Sequence, residues 1–120
     1  TDTGYPSISI NNYASLRDLS KFMKSEISAL RWRGNIWLDG LSPWEEHEWS
    51  GKKFKIGSVV FEGVEPIVRC MATTANPENG ERDADTLDAL NTGWNHQNFG
   101  IYATILKTGK ISIEDEVELL

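Results

Sequence analysis

Lys53-Phe54-Lys55-Ile56-Gly57-Ser58-Val59-Val60-Phe61-Glu62-Gly63-Val64-Glu65-Pro66-Ile67-Val68-Arg69-Cys70-Met71-Ala72-Thr73 is the stretch on which the fold turns. Branched and aromatic residues crowd it, and Gly57 interrupts it where a turn is needed, which is the composition of strands joined by tight connections. Residues 53–56, 58–64 and 67–73 therefore read as strands. Segments of the same character recur at 35–39, 99–107 and 117–120, separated by Gly40, Gly51, the 76–80 loop and Thr108-Gly109. Upstream the period changes. Leu16, Leu19, Met23, Ile27 and Leu30 recur at helical spacing behind Ser15-Leu16-Arg17-Asp18, a capping-box pattern, which predicts a helix over 15–30. Asp83 to Leu90 predicts a second, short helix with acids in its first turn. No repeat, heptad or low-complexity tract intervenes, so the class is a β-rich α+β domain.

The 120 residues suffice for one core and are too few for two, so one domain over 1–120 is expected. With 12 Lys and Arg against 18 Asp and Glu, the formal net charge is −6. That balance supplies no basic field for nucleic acid. No stretch approaches the roughly 20 apolar residues that cross a bilayer. A soluble, cytoplasmic protein without a nucleic-acid or membrane partner is the expectation. It agrees with an unpaired thiol in a reducing compartment.

Cys70 is the sole cysteine, so it closes no intramolecular disulfide and must be packing, a nucleophile, a sulfur carrier or a metal ligand. On a strand over 67–73 it shares its face with Val68 and Ala72, while Arg69 and Thr73 point the other way. Thr73-Thr74-Ala75-Asn76-Pro77 follows, a hydroxyl- and amide-rich turn that either holds an anion on its N–H groups or is an ordinary Asx-type turn. Arg31-Trp32-Arg33 places two guanidinium groups on one side if the chain is extended there, a clamp for one anionic group. The alternative is that both are solvated or bonded to the acids of Trp44-Glu45-Glu46-His47-Glu48-Trp49. That acidic run reads as an exposed turn between two buried tryptophans, because a single histidine among acids lacks the ligand set of a zinc site. His96 is the other histidine, and neither has a partner at metal-ligand spacing.

Taken together, Arg31-Trp32-Arg33-Gly34-Asn35-Ile36, Asp39-Gly40-Leu41-Ser42-Pro43-Trp44-Glu45-Glu46 with Trp49, Lys55-Ile56-Gly57, Arg69-Cys70, Thr73-Thr74, Asn79-Gly80, Phe99-Gly100 and Asp115-Glu116-Val117 resemble the successive landmarks of a MOSC domain, the C-terminal module of molybdenum cofactor sulfurases. The match runs from about Tyr5 to the end. The resemblance implies a MOSC-type, β-barrel-like domain with a few short helices. It also implies a molybdopterin-type cofactor, with Cys70 as both catalytic residue and metal ligand and with Arg33, Asn35, Arg69, Thr73 and Thr74 binding the cofactor. The function implied is an oxidoreductase that reduces N-hydroxylated small molecules with electrons from a donor protein. Within the wider superfamily, pyridoxal phosphate binding is a further association. The alternatives are a persulfide-carrying sulfur carrier and a non-catalytic cofactor-binding or interaction domain. Gly34 departs from the family's usual proline and Asn76 from its frequent aspartate. The family's pocket also draws on a stretch before the equivalent of Tyr5, so the chain is expected to lack its upstream portion.

Overall fold

The computed structural model describes residues 7–32, 34–69, 73, 77–79, 81, 85–113 and 115–120. Strand β1 (Ile8–Asn12) leads directly into helix α1 (Tyr13–Met23). A 3-10 helix (Ala29–Trp32), β2 (Ile36–Leu38), a second 3-10 helix (Glu45–Trp49), β3 (Lys53–Ile56) and β4 (Val59–Val68) follow. Helix α2 (Thr86–Trp94), β5 (Asn98–Lys107) and β6 (Val117–Leu119) complete the described elements. The strands form one sheet in the order β2-β1-β5-β4-β3-β6, antiparallel except where β1 meets β2.

That sheet curls. All six strands contribute to one apolar cluster, in which Ile10, Leu38, Phe54, Ile56, Phe61 and Ile101 are buried and Val117 packs against them. A flat sheet could not bring its two edges, β2 and β6, onto the same core. A second cluster covers the other side of the sheet, where Leu16 and Leu19 of α1 and Ala89 and Leu90 of α2 surround Trp32 and Phe99. The α+β, MOSC-like architecture expected from the sequence is therefore present. No described helix is long and apolar enough to cross a membrane.

Several local expectations need correction. The segments 58–64 and 67–73 are not separate strands. Val59 to Val68 form one strand whose pairing with β5 shifts register at three places, and regular strand ends at Val68. Helix α1 starts earlier and stops sooner than its apolar spacing predicted. Asn12 is the N-cap, its Oδ1 accepting from Ala14 N at 2.8 Å, whereas Ser15 is buried inside the helix. Lys24 then turns left-handed with φ 55°, its N–H directed at Lys21 O and Ser20 O, and ends the helix. Ile27 still reaches the core, but from the following loop, held by its N–H to Ser20 Oγ; Leu30 is 71% exposed. The second helix lies at Thr86–Trp94, capped by Asp85, a few residues beyond its expected place.

Candidate functional site

Arg69 directly follows β4 and binds three other segments. Its Nε donates to Phe99 O at 2.9 Å, its Nη1 to Trp32 O at 2.7 Å and its Nη2 to Asn11 Oδ1 at 3.0 Å. Its backbone N–H donates to Gln97 O at 2.8 Å. The guanidinium also lies 5.4 Å from the Trp32 ring centroid and 5.9 Å from that of Phe99, and those two rings stack at 4.0 Å. A planar fork of donors over an aromatic pair suits arginine and not lysine. Asn11 is fully buried beside it. Gly34 is required there, since a Cβ at that position would stand 2.0 Å from Asn11 Nδ2 and 2.9 Å from Trp37 Nε1. The departure from proline at position 34 thus goes with the buried amide of Asn11.

The other expected site residues divide. Cys70, Arg33 and Thr74 lie outside the described residues, as does Asn76. Asn35 is described, and its Oδ1 accepts from Ser9 N at 2.8 Å and from Ser9 Oγ at 3.2 Å, lacing β2's approach to β1. Thr73 is buried, its Oγ1 2.8 Å from Thr86 Oγ1 at the start of α2. The idea that Arg31 and Arg33 project to one side of an extended strand fails, because Ala29–Trp32 is a 3-10 helix. The alternation that placed Cys70 on the face of Val68 also lapses, since the strand stops at Val68 and that residue is 72% exposed.

The Trp44 to Trp49 segment is not an exposed turn. Glu46 is fully buried: Asn12 Nδ2 donates to its Oε1 at 3.1 Å, and Ser15 Oγ lies 3.0 and 3.1 Å from its two oxygens. Burial pushes this carboxyl above its ordinary value, and the bonds from Asn12 and Ser15 offset only part of that. Ser15 Oγ also accepts from Trp44 N at 2.8 Å, so the acid fastens its own helix to the β1–α1 junction. Beside it, Trp44 packs against Trp94, Phe99, His47 and His96. The His47 and His96 rings meet edge to face, centroids 5.4 Å apart. Burial, and secondarily the charge His96 would carry, hold His47 at about 4, and burial also lowers His96. Asn98 N donates to His96 Nδ1 at 2.9 Å, so that nitrogen is unprotonated and the neutral ring carries its proton on Nε2. Among the described residues no three His, Cys, Asp or Glu side chains approach as metal ligands.

Asn11, Trp32, Phe99 and Glu46 were not singled out in the sequence as site-forming. The one available signal was the amide pair Asn11-Asn12 inside an apolar segment, where unpartnered amides would be costly.

The curled sheet with its helices on one face, with Asn11, Trp32 and Phe99 joined by Arg69 just beyond the end of β4, is the architecture expected of a MOSC domain. The chain belongs to that family, whose model matches residues 6–118. Among known proteins, a molybdenum cofactor sulfurase of Caenorhabditis elegans is 36% identical over 95 residues, which cover 76% of this chain and 13% of that protein. The mitochondrial amidoxime reducing component 2 of Bos taurus is 30% identical, with 94% of this chain and 38% of that protein covered. The crystal structure of YiiM from Geobacillus stearothermophilus superposes with a TM-score of 0.65 over 94% of this chain and 53% of that one. At 17% identity this last likeness is one of fold. The chain spans well under two thirds of the length of each of these proteins.

Proposed function

We propose that this domain holds a pterin-based molybdenum cofactor through Cys70, as part of a protein that reduces N-hydroxylated small molecules. The observation that carries the reading is the 2.7 Å bond from Arg69 Nη1 to Trp32 O. Arg69 precedes Cys70 and Trp32 precedes Arg33, and successive Cα atoms are only about 3.8 Å apart. The two residues expected to serve one ligand, Cys70 and Arg33, are thus each next in sequence to one partner of that bond. The residue types fit the group: a thiolate is a soft ligand that suits molybdenum, and a guanidinium matches a phosphate bidentately. A further sign of fit is Trp32 Nε1, a buried donor with no acceptor among the described residues.

The described residues take two kinds of role in this reading. Arg69 and Thr73 are bonded within the protein, so they act by fixing the chain on either side of Cys70. Asn35 has its oxygen engaged by Ser9 and offers its amide N–H groups to the cofactor, beside Arg33 and Thr74. When bound, the cofactor supplies two-electron redox chemistry that side chains lack. The net reaction breaks the N–O bond: R–NHOH, two electrons and two protons give R–NH2 and water. The electrons come from a donor protein.

The relatives named as sulfurases favour a second reading, in which Cys70 carries sulfur as a persulfide and no metal binds. One experiment separates the two. Full-length protein from a cofactor-producing host is compared with its Cys70→Ser variant for molybdenum content, N-hydroxy reduction and persulfide labelling, with circular dichroism as the folding check. The metal-ligand reading expects stoichiometric molybdenum in the parent and loss of metal and activity, by about 100-fold or more, in a folded variant. Labelling lost in a protein that never contained molybdenum supports the carrier. A variant that keeps metal and activity sinks the proposal.

A further inference from the structure

A cavity of about 760 Å³ lies at the edge of the curled sheet, where β2 and β6 approach. Ligand sites are typically concave spaces of roughly 300–1,000 Å³ with apolar walls and a few placed polar groups. This one has that make-up. Ile36 and Leu38 of β2 face Ile56 of β3 and Val117 of β6 across it, which gives an apolar floor continuous with the core. Tyr13 and Trp37, with rings 4.9 Å apart, form its aromatic side. At the mouth Ile113 is 96% exposed, a large apolar side chain left in water.

The charges lining the cavity have one sign. Asp39, Asp115 and Glu116 border it, and among the described residues no lysine, arginine or histidine does. The three acids are not equivalent. Asp39 pairs with Arg17 at 2.7 Å, and Asp115 Oδ2 accepts from Ser112 N at 2.7 Å with its second oxygen left over. Among the described residues Glu116 has no hydrogen-bond or ion-pair partner. Two carboxylates above an apolar floor, in a cavity that two aromatic residues also line, attract a cation and repel an anion. The geometry points to a binding site for a small organic cation with an apolar body, of the protonated aryl-alkylamine class. The body fills the space between Ile36, Leu38 and Val117, and the ammonium stays at the rim beside Asp115 and Glu116. This site does not rest on the cofactor reading.

The test titrates full-length protein calorimetrically, at low ionic strength, with 4-phenylbutylamine, 4-phenylbutanol and 4-phenylbutyrate. The three share one body and differ in head-group charge. The amine is expected to bind most tightly and the carboxylate least, about tenfold apart, as two exposed charges warrant. Asp115→Asn with Glu116→Gln, both at exposed positions and nearly isosteric, should bring the amine to within about twofold of the alcohol and leave the alcohol unchanged. Cys70→Ser should bind the amine as the parent does. Equal affinities for amine and carboxylate, no effect of the double variant, or loss of amine binding on Cys70→Ser would each overturn the site. Absence of amine binding at millimolar concentration would do so too, and is the result expected if an added polypeptide strand occupies the β2 edge instead.

Discussion

The guanidinium of Arg69 joins residues that are far apart in the chain, Asn11, Trp32 and Phe99, and it does so one peptide bond before Cys70. Each bond is charge-assisted, and removing the fork would leave two main-chain carbonyls and a buried amide oxygen without their donor. Arg69→Lys keeps the charge but satisfies at most part of this set, so it should cost about 2–4 kcal/mol, read as a lower denaturation midpoint. The same variant separates positioning from direct contact. If Arg69 acts by fixing the chain, cofactor content should fall only in step with stability and recover at lower temperature. Loss of cofactor from a variant as stable as the parent would instead make Arg69 a direct ligand of the phosphate. Among the expected site residues Arg69 was legible only as a type, because nothing local in Val68-Arg69-Cys70 tells whether the side chain turns inward to carbonyls or outward to a ligand.

The 3-10 helix Glu45–Trp49 carries a buried and a half-buried ionisable group, Glu46 and His47, that pull in opposite directions with pH. His47 in the folded protein takes its proton only near pH 4, against the ordinary 6.5. Between those values the unfolded chain binds a proton that the folded protein refuses, so stability falls as pH drops from 6.5 towards 4. Glu46 is raised above its ordinary 4.5, so its contribution runs the other way, present at low pH and lost as pH rises through its folded value. His47→Phe keeps a ring against Trp44 and removes the first effect. The urea midpoint of this variant, relative to the parent, should rise progressively between pH 6.5 and 4; a gap that stays constant over that window would mean that His47 is not desolvated. This element also marks the limit of sequence reading. Strands β3 and β5 and the turn at Gly57 were legible because branched residues and glycine act locally. Glu46 was not, because an acid is buried only when distant donors such as Asn12 and Ser15 come to meet it. Strand β1 escaped for a related reason: Ile8-Ser9-Ile10-Asn11-Asn12 has poor strand composition, and its amides are acceptable only once Arg69, Glu46 and the α1 N-terminus bond to them.

At the scale of the molecule, the curl of the sheet places the 3-10 helix on its inner side and closes the core with Trp49. Strand β4 pairs with β3 on one side and β5 on the other, and one of its register shifts falls between Gly63 and Glu65. At Gly63 the chain before β3 lies against the strand: Gly51 N donates to Gly63 O at 2.8 Å, Gly63 N donates to Lys52 O at 2.9 Å, and Ser50 bridges to Gly63 in parallel. A Cβ on Gly63 would stand 2.2 Å from Trp49 O and 2.8 Å from Trp49 C. The obstruction is main chain, which cannot rotate aside as a side chain can. Gly63→Ala must therefore lift the end of the 3-10 helix off the sheet, and with it Trp49, which is 1% exposed and lies 4.8 Å from Phe54. The expected cost is about 2–4 kcal/mol, the range for a core forced open by overpacking. Near-ultraviolet circular dichroism should lose part of its tryptophan signal while the far-ultraviolet spectrum persists. Because Glu46 in the same helix is bonded to Asn12 and Ser15, displacement at Gly63 should also reach Trp44 and the Phe99 ring beneath Arg69. Cofactor retention should then drop more than in a variant of equal cost placed on β6, such as Val117→Ala. Equal retention in the two would show that the Arg69 end of the sheet is insulated from the seating of Trp49.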